Sequence, residues 1–188
     1  MTSPKAAVPW TVTWGLFLAW AVHDVEELAT GSEFMRHTDL PLPKLDQEHM
    51  STAIGLMGGV MAAASAAGAA SGGRSPFFQT VLLGFGLHSI THVAPAIVLR
   101  RYTPGVATVP LVVAPFSLWA IGQLRARGVE FRARPRSFLW FPVVVGGAHV
   151  AASLITRLRH RGQKALRSTA PRSEAGGAQA VPVGADQR

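Results

Sequence analysis

The sequence contains no cysteine. Disulfide frameworks, thiolate metal sites and cysteine nucleophiles are therefore excluded together. Charge is scarce too: Asp, Glu, Lys and Arg make up 15% of the 188 residues, and whole stretches have none. No charged side chain occurs between Lys5 and His23, from Met50 to Gly73, from Ser75 to Leu99, from Tyr102 to Leu124 or from Ser137 to Thr156. Each stretch is about as long as the ~17–25 residues a helix needs to cross the hydrocarbon core of a bilayer. A soluble domain would interrupt such runs with polar faces at helical or strand period. Two catalytic signatures are also missing. Neither the zincin order His-Glu-x-x-His nor the Glu-x-x-His of carboxylate-bridged di-iron bundles is present.

What the chain does contain points to a membrane. The expected fold is all-α, an integral bundle of about five transmembrane helices near 8–28, 50–70, 77–99, 106–124 and 137–156. The formal charge of +8 does not indicate nucleic acid, because no aromatic-basic interleaving suited to base stacking appears. The basic residues instead flank the apolar runs, in Arg100-Arg101, in 125–136 and in 157–167. Such positions fix topology and meet anionic headgroups. Lys5, the apolar run after it and Ala19-Trp20-Ala21 loosely imitate a secretory signal. An uncleaved first helix fits better, because cleavage would strand a polar cluster without a membrane to hold it.

The bundle is read as residues 1–160, with 161–188 as a disordered basic tail. Five full spans with a cytoplasmic N-terminus put the two most basic segments on opposite sides, against the positive-inside rule. Four spans with a re-entrant segment around Pro142 and Gly146-Gly147 are the alternative. Gly55-x-x-x-Gly59 in the second span suggests close helix packing. Pro95 is expected to kink the third span, and Pro110 and Pro115 to bend the fourth. Pro104-Gly105 suits the centre of a type II turn.

The chemistry concentrates in one place. His23-Asp24-Val25-Glu26-Glu27 puts His23 on one helix face with Glu26 and Glu27, at i+3 and i+4, while Asp24 points elsewhere. Carboxylates at membrane depth are costly, so they should face the bundle interior and have partners. His88 and His92 form a second i, i+4 pair, spaced to reach one ion from one helix. Counting ~1.5 Å per residue from each span's midpoint, His23, His92 and His149 fall within one layer of parallel helices. Glu48 and His49 enter from the same side.

His23, Glu26, Glu27, His88 and His92 are thus the candidate metal ligands, and Glu26 and Glu27 the candidate catalytic carboxylates. Nitrogen and oxygen donors without sulfur suit a divalent zinc, iron or manganese ion. Two readings of other classes use the same residues: a proton- or ion-coupled carrier, and a scaffold held by a buried polar knot. The partners expected are the lipid bilayer, a hydrophobic small-molecule substrate and a second copy of the chain, and the location is the cell membrane.

The chain resembles the HXXEE family of small bacterial membrane proteins, whose function is not established. The resemblance rests on His23-Asp24-Val25-Glu26-Glu27 and on the stretch from His92 through Arg101-Tyr102-Thr103-Pro104-Gly105. It covers about Trp14 to Gly122. The family's second motif has a polar residue four before the histidine, usually Asn, where this chain has His88. The resemblance implies a multi-pass membrane fold and names no reaction.

Overall fold

The computed structural model describes residues 7–39, 45–133 and 139–169. Within them the chain is all-helical. Helix α1 is Trp10–His37, α2 is Gln47–Ala70, α3 is Pro76–Leu99, α4 is Ala114–Ala126 and α5 is Trp140–Thr169, with a π-helical turn Val109–Val113 running directly into α4. Four of these are long and apolar enough to cross a membrane: α2, α3, the π turn with α4, and α5. Helix α1 has the length but is not among them, because its ionisable residues lower its hydropathy.

Local sequence explains the starts. Asp46 caps α2 by accepting from the His49 amide at 2.8 Å, and Ser75 caps α3 with Pro76 at its first turn. The wide π turn falls where Pro110 and Pro115 withhold amide donors from an α-helical ladder. Helix α3 continues through Pro95 to Leu99. Helix α5 passes unbroken through Pro142 and Gly146-Gly147, so it offers no break for a re-entrant segment. Two helices outrun their expected ends. Helix α1 reaches His37, with Glu33 beside Arg36 and His37 at helical spacing and no breaker before Pro41. Helix α5 continues to Thr169, into the stretch expected to be a tail; residues 170–188 lie outside the described residues.

The core lies among α1, α2, α3 and α4. Val12 and Leu16, Met61 and Ala64, Phe78 and Leu82, and Val113 and Leu124 meet there, almost completely buried. Small residues set the distances, although not the pair expected. Gly58 faces Trp20 and Gly68 faces Phe78 so closely that an added Cβ would lie 2.9 Å and 2.6 Å from those rings. Gly55 and Gly59 have nothing within 4 Å and face outward. Helix α5 packs along α2. A polar seam joins that pair: His49 Nε2 lies 2.9 Å from His149 Nδ1, and Glu48 pairs with His160 at 2.8 Å and Arg159 at 3.8 Å.

Candidate metal centre

Four side chains from two helices converge in the half of the bundle nearer the C-terminal ends of α1 and α3. One nitrogen each from His23, His88 and His92 and one carboxylate oxygen of Glu27 all lie within 4.8 Å of one another. His92 Nε2 is 2.8 Å from His88 Nε2 and 3.3 Å from Glu27 Oε1, and His23 Nε2 is 3.9 Å from the same Oε1. Donors held at ~2.0–2.2 Å from a single ion sit roughly 3 to 3.5 Å apart. The 3.3 Å distance matches that spacing, the 2.8 Å one is slightly short and the 3.9 Å one slightly long, so the donors would shift a little to close on one ion.

The outer nitrogens of the three rings decide what the inner ones carry. His92 Nδ1 is 2.8 Å from the Pro104 carbonyl, which can only accept, so Nδ1 holds the proton. His88 Nδ1 is 2.9 Å from Thr91 Oγ1, whose single hydrogen goes to the His88 carbonyl at 2.7 Å. That hydroxyl therefore accepts from the ring. His23 Nδ1 is 2.7 Å from Thr108 Oγ1, whose hydrogen goes to Glu26 Oε2 at 2.6 Å. It too accepts. In the neutral imidazoles all three Nε2 atoms then present lone pairs to a common point. His23 is fully buried, and its Nε2 has no hydrogen-bond partner. Lone pairs facing each other across 2.8 Å with no proton between them repel; a shared cation resolves the conflict.

Glu26 does not join this group. Its carboxylate accepts from Tyr102 Oη at 2.5 Å, Ala107 N at 3.1 Å, Thr108 N at 2.8 Å and Thr108 Oγ1 at 2.6 Å. A carboxylate has about four acceptor sites, and all are in use. Glu26 thus ties α1 to the backbone that leads into the π turn, at the positive end of the fourth span. Burial raises the Tyr102 hydroxyl above its usual range and the Glu26 carboxylate raises it further, so the phenol remains a donor.

The loop Glu26 holds is part of the site. Thr103 to Val106 forms a turn, Val106 N donating to Thr103 O at 3.1 Å, with Gly105 at φ +82° as a type II turn requires. A Cβ on Gly105 would lie 2.6 Å from His92 Nδ1 and 2.8 Å from His23 Cε1. Arg101 fastens the same loop to the end of α1, donating to Thr38 Oγ1 at 2.8 Å and standing over the Phe34 ring. The Pro-Gly turn was expected from the sequence to matter only indirectly. It packs directly on two of the histidines, and no spacing rule links it to residues eighty positions away.

Glu27, His88 and His92 face a cavity of about 730 Å³ bounded by α1, α2, α3 and α5. Asp24 corrects an expectation. Expected to point away from the face of His23, Glu26 and Glu27, it lines this cavity together with Glu27, 7% exposed. His149, grouped with His23 and His92 by depth, also lines the cavity, yet its ring partner is His49, stacked at 5.2 Å. Glu48 is on the outer end of the α2–α5 seam.

No curated protein and no solved structure matches the chain. A family described as a protein of unknown function with HXXEE motif matches residues 14–120, more than half of the sequence. That span takes in His23, Glu27, His88 and His92 together with the turn and the hydroxyls that orient their rings. The chain belongs to the HXXEE family.

Proposed function

We propose that this protein is a metal-dependent enzyme of the cell membrane, acting on a lipid or other hydrophobic substrate. His23, His88, His92 and Glu27 hold one divalent ion of zinc, iron or manganese at the wall of the apolar cavity. One observation carries the reading: three imidazoles, each oriented by its outer nitrogen, turn their remaining lone pairs on one point beside a carboxylate. A polar knot built only to join helices would pair those nitrogens with donors. The cavity lined by Glu27, His88 and His92 would give water or substrate access to an ion held there.

Hydrolysis is the reaction favoured, because its only co-reactant is water. Held by these residues, the ion would supply Lewis acidity and an activated water at the cavity wall, and the Glu27 carboxylate oxygen left free of it would be the group to accept a proton there. Glu26, Thr108, Thr91 and Pro104 act through the ligands, holding ring orientation and tautomer.

The test is metal analysis of protein purified under metal-replete conditions. The expected result is about one ion per chain, lost in His92→Ala and strongly reduced in Glu27→Gln, with all three proteins folded. Wild-type protein without stoichiometric metal would refute the reading. Proton or ion flux in liposomes, abolished by Glu27→Gln while metal is absent, would replace it with a carrier.

A further inference from the structure

The cavity is elongated along the bundle. On α3 it is lined by Phe77, Val81, Phe85, His88, His92 and Leu99, a stripe at helical spacing along one face. From Phe77 to His88 this stripe runs about 16 Å, and from His92 to Leu99 roughly 10 Å more. The polar groups are gathered between these arms: Asp24, Glu27, His88, Thr91, His92 and His149. The longer arm, between α3 and the start of α5, is otherwise almost wholly apolar.

That longer arm opens sideways. Helix α5 packs along α2 and not closely along α3. It reaches α3 through Phe141, whose ring lies 5.3 Å from that of His88. Phe77, Val144 and Trp140, which line this arm, are 44%, 37% and 66% exposed. In a bilayer their exposed area meets acyl chain. The lining of the described residues includes two carboxylates, Asp24 and Glu27, and no Lys or Arg. With the proposed divalent ion in place these two carboxylates balance its charge, and no cationic side chain remains to hold an anionic headgroup.

We infer that the crevice takes one long unbranched chain of a neutral ester, entering from the bilayer between α3 and α5. The acyl chain lies along Phe85, Val81 and Phe77, and the ester group stands at the His/Glu group, with the shorter arm receiving the alcohol portion. The inference rests on the proposed metal centre for the role of the ester group. The crevice itself rests on shape and polarity alone.

The test measures binding of octanoyl and hexadecanoyl methyl esters to the full chain in nanodiscs, with metal content determined on the same samples. Wild-type protein should prefer the hexadecanoyl ester. Val81→Trp, which fills the long arm away from the histidines, should weaken that ester on the order of tenfold through the lost burial of several methylenes. Octanoyl binding and metal content should not change. Val144→Trp fills the same arm from α5 and serves if the first variant does not fold. Unchanged hexadecanoyl binding in a folded, metal-loaded variant would overturn the inference, as would hexadecyl phosphate competing as well as the ester. Wild-type protein that takes up no metal under metal-replete conditions yet keeps the chain-length response would support the crevice and refute the metal centre.

Discussion

Helix α3 carries two buried polar sites, one near each end, and they are built on opposite plans. Near its start, Gln79 is fully buried and donates through Nε2 to the carbonyls of Gly73 at 3.0 Å and Glu130 at 2.9 Å. Its Oε1 accepts from the Arg132 amide at 2.6 Å. Every partner is backbone, and the amide sews two loops to the helix. In its second half, His88 and His92 have outer nitrogens that are satisfied and inner ones that face other acceptors. The first site is complete within the protein. The second leaves His23 Nε2 without a partner and crowds two imidazole nitrogens against a carboxylate, which a bound cation would complete. A buried polar group in a membrane bundle therefore does not by itself separate structure from function; what separates them is whether its hydrogen bonds close.

This contrast can be broken from either side. Gly105→Ala should have the largest effect. The new methyl group would press on His92 Nδ1 and His23 Cε1 from a residue at positive φ, so metal affinity should fall by roughly a hundredfold or more, the scale reached when support of a ligand is lost. Isothermal titration of metal into the stripped protein reads this directly, while helix content should be retained. Gln79→Leu should do the reverse. It leaves two carbonyls and an amide without their partner, at a cost of about 2–4 kcal/mol in unfolding free energy. Metal bound per folded chain should stay at the wild-type level. Thr108→Val is the mildest of the three. It removes the acceptor that fixes His23 and should weaken metal binding about 10–100-fold, with the metal-free protein destabilised by the lost bonds to Glu26 and to the buried His23 ring.

Much of this architecture is legible in the sequence, for a simple reason. Hydrocarbon tolerates neither charge nor open backbone, so five charge-free runs read as helices, and ionisable groups inside them read as a site. The i, i+4 spacings brought His23 with Glu27, and His88 with His92, onto common faces, and the layer argument joined His23 to His92. The two glutamates are harder to separate. Glu26 and Glu27 are neighbours, and a turn of about 100° sends one toward the π turn and the other toward the three imidazoles. Only the neighbouring helices decide which is which. The same limit applies to Asp24, which shares the Glu27 side at i+3, and to the glycines of α2. Gly55 and Gly59 have the spacing of a packing motif as Gly58 and Gly68 do not, yet the latter two take the contacts. The depth argument grouped His149 with His23 and His92 and brought His49 in from the same side; His149 lines the cavity, but its ring pairs with His49 and not with the other two. Most distant from any sequence rule is the turn at Pro104-Gly105, whose carbonyl and missing side chain shape the site across the fold.

The central claim is that the inner nitrogens of His23, His88 and His92 and a Glu27 oxygen surround one ion. X-ray absorption at the edge of the bound metal measures that surrounding directly. The account predicts three imidazole nitrogens and at least one oxygen at about 2.0–2.2 Å, with one imidazole fewer in His88→Ala. A bound metal surrounded by oxygen alone, or a spectrum unchanged by that substitution, would contradict it.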